Sequence, residues 1–260
     1  MLQRRRFDNG VICYVSPILE SIGVPHAFST RIGGVSKPPF DSLNLGNPSD
    51  SPIKDDWANI YENYARLQAA IGCADRQRCW VHQIHGGEVI RCDDSFESGR
   101  KADAMTTNDP SRLLSVRVAD CVPVLLASDD GSTVAAVHAG WRGVLAGAAV
   151  NALAQMECPP ARVIAAIGPC IGFESFEVGD DVLSTFEKSF GADAPIRRVS
   201  ETMGRADLPR AIAIQLHQRG VDQIDTTGLC TFAHASEFFS HRRDKGATGR
   251  MAALISPRRS

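Results

Sequence analysis

Three residues of this chain carry donor atoms that suit a borderline-soft metal ion: His85, Cys121 and His138. Two imidazoles and one thiolate fit zinc, and three protein ligands leave a fourth position for water or substrate. Each stands where an apolar run meets small residues. His85 precedes Gly86-Gly87, Cys121 follows Ala119-Asp120, and His138 precedes Ala139-Gly140. Glycine at strand ends lets backbone and ligand approach closely, and open sites form in such turns. The cation itself favours the thiolate it binds. The pair also fits a second chemistry, with Cys121 as nucleophile and His138 as its base. Taken singly, each residue reads as a buried thiol or a hydrogen-bonded core histidine; taken together, they read as a site.

The stretch from Ala119 to Gly143 must bring Cys121 and His138 together. Its apolar runs, Val122 to Ala127 and Thr133 to Val137, flank Ser128-Asp129-Asp130-Gly131-Ser132. Asp-Gly in a polar break between β-rich runs predicts a hairpin, because glycine accepts the positive φ of the turn. The hairpin sets Cys121, at the entry of one strand, beside His138, at the exit of the other. Nothing local ties His85 to this hairpin, and His82 competes with it as a ligand. Positions three apart on a strand face opposite ways, so both serve one ion only if the strand breaks.

Neighbouring residues have two readings each. Asp120 is an orienting carboxylate for a ligand imidazole or a strand-end cap. Trp141 and Arg142 stack on a base and hold an anion, or they cover the end of the hairpin. Arg31, ahead of Gly33-Gly34, is a phosphate or carboxylate clamp or a surface arginine. Arg242-Arg243 are anion ligands or part of a solvated basic loop. Cys170 is a further thiol, between glycines but without a base beside it.

Around these lie the elements that must hold them. Strands are expected at Val11 to Val15, Pro25 to Ser29, Cys79 to Ile84, Leu113 to Val118, Val163 to Ile167 and Met251 to Ile255. Shorter ones are expected at Val89 to Cys92 and Gln223 to Asp225. Helices are expected at Lys54 to Ile71, Val144 to Met156, Asp180 to Ser189 and from Asp207, a capping residue, to Arg219. Strands dominate, and hairpins mix with longer crossovers. The expectation is an α+β fold with mixed sheets and one domain over residues 1–260.

Composition bounds the function. The 260 residues are 43% hydrophobic and 22% charged with a net charge of −2, enough for a sizeable core. No basic footprint points to nucleic acid, and no run reaches the ~18 apolar residues of a membrane span. The N-terminus is basic without a following apolar region, so a cytoplasmic protein is expected. The eight cysteines include no CxxC pair and read mostly as small buried hydrophobes.

Gln83-Ile84-His85-Gly86, Ala119 to Leu126 (ADCVPVLL), His138 to Gly143 (HAGWRG), Ile167 to Gly172 (IGPCIG) and Phe238 to Arg250 carry a resemblance. Thr30 to Ser36 and Ser42 to Gly46 share it. In order, and over nearly the whole chain, these motifs resemble the YfiH, or laccase-domain, family. The resemblance implies a single-domain α+β fold, a mixed β-sandwich flanked by helices, like the cytotoxic necrotizing factor catalytic domain. It implies a zinc site at His85, Cys121 and His138, with zinc favoured over copper. Substrate contacts are expected at Arg31, Asn44, Arg142 and Arg243. The implied activity is phosphorolysis of adenosine, inosine, guanosine and methylthioadenosine, with adenosine deamination beside it. The partners are purine nucleosides and phosphate, and the assembly is a monomer or homodimer. His241 stands where the family motif has tyrosine, and Lys245 is inserted before Gly246.

Three other functions compete. A copper-dependent polyphenol oxidase needs a histidine-rich cluster, yet this chain has seven histidines, no HxH pair and no Cys-His dipeptide. A cysteine-type hydrolase editing peptidoglycan precursors would use Cys121 and His138. A zinc-stabilised binding protein would need no reaction at all.

Overall fold

The computed structural model describes residues 1–48, 51 and 53–259. Its first strands are β1 (Gln3–Arg6), β2 (Ile12–Val15), β3 (His26–Ser29), β4 (Gln77–Trp80) and β5 (Val89–Arg91). Then come β6 (Ala104–Thr107), β7 (Arg112–Val118), β8 (Val122–Ser128), β9 (Val134–Ala139) and β10 (Val163–Ile167). The last are β11 (Glu177–Gly179), β12 (Ile196–Arg198), β13 (Met203–Ala206), β14 (Gln223–Asp225) and β15 (Met251–Ile255). The helices are α1 (Pro17–Ser21), α2 (Trp57–Ala70), α3 (Trp141–Leu145), α4 (Ala148–Gln155), α5 (Asp180–Phe190) and α6 (Leu208–Gln218).

Among the described residues the strands form one three-stranded and two six-stranded sheets, the larger ones in the orders β1-β2-β3-β15-β7-β4 and β14-β10-β8-β9-β6-β5. Both are mixed, with parallel pairs at β4–β7, β5–β6 and β10–β14. The two-residue period of a strand explains how they stack. On β8, Leu125 and Ala127 face inward and meet Leu114, Val116 and Ala253 of the other sheet. Val124 and Leu126 face outward onto Ala149 and Ala152 of α4 and Ile212 and Leu216 of α6. On the far side of the first sheet, Cys13, Ala27, Leu113 and Leu254 meet Ile60, Tyr64 and Leu67 of α2. The result is four layers, helix–sheet–sheet–helix, the α+β sandwich expected from the sequence. Its all-apolar central strands follow from burial on both faces.

Local signals set several boundaries. Asp56 accepts the Ala58 N–H at 2.9 Å, so α2 starts at Trp57 rather than Lys54. Asp207 accepts the Arg210 N–H at 3.0 Å and starts α6 as expected. The single helix expected over Val144 to Met156 is two, because Gly147 takes a left-handed φ of 71° between α3 and α4. The strand expected over Cys79 to Ile84 ends at Trp80. The sheet β11-β13-β12 was not anticipated; its strands of three or four residues carry charged side chains and little alternation.

Candidate metal centre

The β8–β9 hairpin sets two of the three candidate ligands. Its register pairs Pro123 with His138 and Val122 with Ala139. Leu125 faces inward, so Pro123 and Cys121 share that face two and four residues earlier, and His138 shares it with Ala136. Cys121 and His138 are therefore diagonal neighbours at the same open end of the sandwich. His85 arrives separately, on the loop between β4 and β5. Gln83 fastens that loop to the end of β7: its amide nitrogen donates to the Arg117 carbonyl at 2.7 Å, and its oxygen accepts the Arg117 N–H at 2.9 Å. His85 itself takes a φ of 61°, a left-handed conformation uncommon for a side chain with a Cβ.

The donor atoms of His85, Cys121 and His138 lie within 4.8 Å of one another. The two imidazoles meet edge to face, with centroids 4.9 Å apart. A tetrahedral zinc ion would hold such atoms roughly 3.3–3.6 Å apart, so small side-chain shifts complete the set. His82 lines the same cleft outside this group. Its N–H donates to the Arg100 carbonyl, and its own carbonyl accepts the Ala102 N–H. The chain thus still follows its neighbour at His82 and turns only afterwards, which separates the two histidines.

Electrostatics prepare the group for a cation. Burial pushes the Cys121 thiol up, but the His138 and His85 imidazoles outweigh it and bring it down to about 6. Burial pushes His138 down, but the Cys121 thiolate and the Asp103 carboxylate outweigh it and raise it to about 9. Without metal, these two groups form a thiolate–imidazolium pair near neutral pH.

Asp103, absent from the sequence-based candidates, is the carboxylate beside the ligands. One of its oxygens lies 2.9 Å from His138 Nδ1 and accepts the His85 N–H at 2.9 Å. The other accepts the N–H groups of Gly86 at 2.6 Å and Ile84 at 3.3 Å. Burial raises its pKa, but these hydrogen bonds hold it below the ordinary carboxylate value. A carboxylate between Ala102 and Ala104, in an apolar run leading into a strand, was the available signal: a buried charge needs partners. Asp120 corrects the orienting role considered for it. Its carboxylate accepts from the hydroxyls of Thr231 at 2.6 Å and Ser240 at 3.0 Å and from the Arg242 N–H at 2.7 Å, fastening the loop after Phe239.

The three ligands open on a cleft of about 530 Å³ whose lining includes Trp57, Trp80, Gln83, Phe176, His241, Arg117, Arg242 and Arg250. Arg117 lies over the Trp80 ring at 5.5 Å. Arg242 lies over Phe176 at 5.4 Å and donates to the Glu177 carbonyl. Register explains why two of these arginines meet: β15 pairs Met251 with Val118, so Arg250 and Arg117 flank adjacent strands.

The four expected substrate contacts lie outside this lining. Arg31 pairs with Asp41 at 3.1 Å, donates to the Ala235 carbonyl and lies over Phe239. Asn44 is buried, donates to Asp55, and accepts the N–H groups of Gly46 and Arg250, so it positions the backbone of a cleft arginine. Arg142 lies over the Trp141 ring at 4.2 Å. Arg243 donates to the carbonyls of Thr231 and Phe238 and pairs with Asp244. Cys170 is buried in the outer layer as a free thiol, pushed well up by burial, and its backbone pairs with that of Cys230 in an isolated parallel β-bridge.

A family profile described as "Multi-copper polyphenol oxidoreductase laccase" matches residues 25–258. The chain is 39% identical over 237 residues to "Purine nucleoside phosphorylase YfiH" of Escherichia coli (strain K12), covering 90% of this chain and 93% of that one. It is 38% identical over 250 residues to "Purine nucleoside phosphorylase" of Deinococcus radiodurans, covering 94% of each. Among solved structures, YlmD from Geobacillus stearothermophilus superposes with a TM-score of 0.87 at 29% identity, covering 98% of this chain and 99% of that one. Neisseria meningitidis protein NMB0706 gives 0.83 at 34% identity, covering 91% and 95%. No helix among the described residues is long and apolar enough to cross a membrane.

Proposed function

The chain belongs to the multi-copper polyphenol oxidoreductase laccase family, and from that membership we propose that it is a zinc-dependent purine nucleoside phosphorylase with adenosine deaminase activity beside it. The observation that carries this reading is the His85–Cys121–His138 group at the end of a cleft lined by both aromatic and arginine side chains. The phosphorylase names of its relatives supply the reaction class.

The donor set suits zinc. Three nitrogen and sulfur ligands leave an open position, and the two imidazoles already draw the thiol toward its thiolate. Copper oxidase chemistry of the laccase type needs more histidines than converge here. When bound, zinc supplies Lewis-acid polarisation at the cleft. The protein's own groups do the rest. Arg117, Arg242 and Arg250 balance the charge of phosphate, and guanidinium groups suit its oxygens. Trp80 and Phe176 offer ring faces to a purine. In the reaction a phosphate oxygen bonds to C1′ of the ribose as the bond from C1′ to the base nitrogen breaks. That nitrogen keeps the electron pair and takes up a proton. Holding both reactants in one cleft makes the displacement effectively intramolecular.

The thiolate–imidazolium pair also favours a second reading, a cysteine-type hydrolase with Cys121 attacking and His138 as proton carrier. One experiment separates the two: chromatography of adenosine, inosine, guanosine and methylthioadenosine reactions, with and without phosphate, on protein of measured metal content. The expected result is free base and the sugar 1-phosphate (ribose 1-phosphate, or 5-methylthioribose 1-phosphate from methylthioadenosine) from zinc-loaded protein only when phosphate is present, and some inosine from adenosine in either case. Cleavage without phosphate would overturn phosphorolysis, and no cleavage by zinc-loaded protein would overturn the phosphorylase and leave the hydrolase of peptidoglycan precursors.

A further inference from the structure

We infer that Asp103 is the positioning residue of the metal centre, fixing both histidine ligands through one carboxylate. The inference rests on the His85–Cys121–His138 centre proposed above, but not on its substrate.

The two histidines come from segments far apart in sequence. His138 lies within β9, and His85 lies on a loop whose backbone is turned left-handed. Asp103 stands between them, fully buried just ahead of β6, which pairs with β9. Its backbone joins the contact: the Asp103 carbonyl accepts the His138 N–H at 2.8 Å. Its side chain faces four donors, three from the backbone of Ile84, His85 and Gly86 and one from the His138 ring.

Two consequences follow. An ionised carboxylate only accepts, so the proton of the His138 ring resides on Nδ1, 2.9 Å from Asp103. That commits Nε2, which gives up its own proton when a cation binds, to the side of Cys121 and His85. The second consequence concerns His85. Its φ of 61° is costly for a residue with a Cβ and persists only where surroundings impose it. Three consecutive N–H groups converging on one carboxylate impose it. A carboxamide at position 103 has one accepting oxygen and one donating nitrogen. It must either abandon the loop N–H groups or turn its NH₂ toward His138, which would shift the ring proton to Nε2 and block ligation.

The test uses zinc and cobalt(II) as probes. Zinc affinity of the wild type and of Asp103→Asn is measured by competition with a chromophoric chelator, and the cobalt(II) proteins are compared by visible absorption. Loss of such a partner typically weakens metal binding about 10–100-fold, and that range is expected here with an altered cobalt spectrum. Should Asp103→Asn fail to fold, proton–nitrogen NMR of the wild-type zinc protein gives the answer alone, with His138 protonated at Nδ1 and ligated through Nε2. Zinc affinity within twofold of wild type with an unchanged cobalt spectrum would overturn the inference, as would a His138 ring protonated at Nε2. So would a wild type that binds neither ion. None of these readouts involves nucleoside cleavage, so a zinc protein that behaves as expected yet cleaves no nucleoside removes the phosphorylase reading and leaves Asp103 in place.

Discussion

Gly140 faces Cys121 so closely that a Cβ built on the glycine would lie 3.0 Å from the cysteine Sγ and 3.2 Å from His85 Cδ2. Its φ of −74° suits any residue, so the restriction is one of space and not of backbone strain. Gly140→Ala is therefore expected to fold normally and to push two ligands outward. Zinc affinity should fall by about tenfold or more, the scale at which metal sites answer to misplaced ligands. Chelator competition together with circular dichroism checks this; wild-type affinity in the variant would show that the ligands have room to spare.

Cys121 should depend on the metal in its reactivity as well as in its function. Metal-free protein is expected to lose Cys121 to iodoacetamide at neutral pH, where the adjacent imidazoles keep it largely thiolate. Zinc should protect it. Cys121→Ala should reduce nucleoside cleavage at least ~100-fold, since it removes the only charged ligand. Peptide mass spectrometry after alkylation, with and without zinc, is the measurement, and equal labelling in both forms would contradict ligation by this thiol.

Cleft arginines and tie arginines should fail in different ways. Arg250→Ala or Arg242→Ala is expected to raise the KM for phosphate by about 10–100-fold, the worth of a charge-assisted hydrogen bond of roughly 1.5–3 kcal/mol. Arg243→Ala, whose guanidinium ties the carbonyls of Thr231 and Phe238, should instead lower stability by about 1–3 kcal/mol with little change in phosphate KM. Steady-state kinetics and urea unfolding on all three variants separate the patterns. Were Arg243→Ala to raise the phosphate KM as far as Arg250→Ala, substrate contact at Arg243 would stand.

His26 sets an acid dependence of stability. It is buried, accepts the Ser16 N–H at 2.8 Å and faces the Val24 carbonyl with its other nitrogen. Burial lowers its pKa in the folded state. The unfolded chain therefore takes up a proton near pH ~6.5 that the folded chain refuses, so stability is full above that pH and declines as pH falls toward the folded value. The slope contributed by one such group approaches ~1.4 kcal/mol per pH unit. Unfolding of zinc-loaded wild type and His26→Gln at pH 7 and 5.5 should show the smaller loss in the variant. Identical losses would assign the acid sensitivity elsewhere.

A single sequence made the hairpin legible because its determinants are local. Continuous apolar runs, Asp-Gly in the break and a short span between the runs are all within one stretch, and Cys121 and His138 follow from it. Strands such as Val163–Ile167 and Met251–Ile255 were legible for the same reason, being uninterrupted apolar runs bounded by polar or small residues. His85 was different. Its place depends on Gln83 reaching β7 and Asp103 reaching the loop, hydrogen bonds between residues 18 or more positions apart. No local pattern encodes such contacts, and only the family resemblance pointed to it.

The cleft arginines show the same divide. Arg117 precedes the last residue of β7 and Arg250 precedes the first of β15, and neither stands out in its own segment. They meet because the sheet register sets Met251 against Val118, a pairing decided by the packing of the two sheets. Arg31, Asn44 and Arg243 stood beside glycines or within recognisable motifs, yet their polar atoms are engaged by neighbouring chain. The sequence by itself determined which side chains are able to bind a cation and which hairpin sets two of them side by side. Only the tertiary structure decided which charged groups surround that cation, because side-chain type is written residue by residue while proximity across layers belongs to the assembled core.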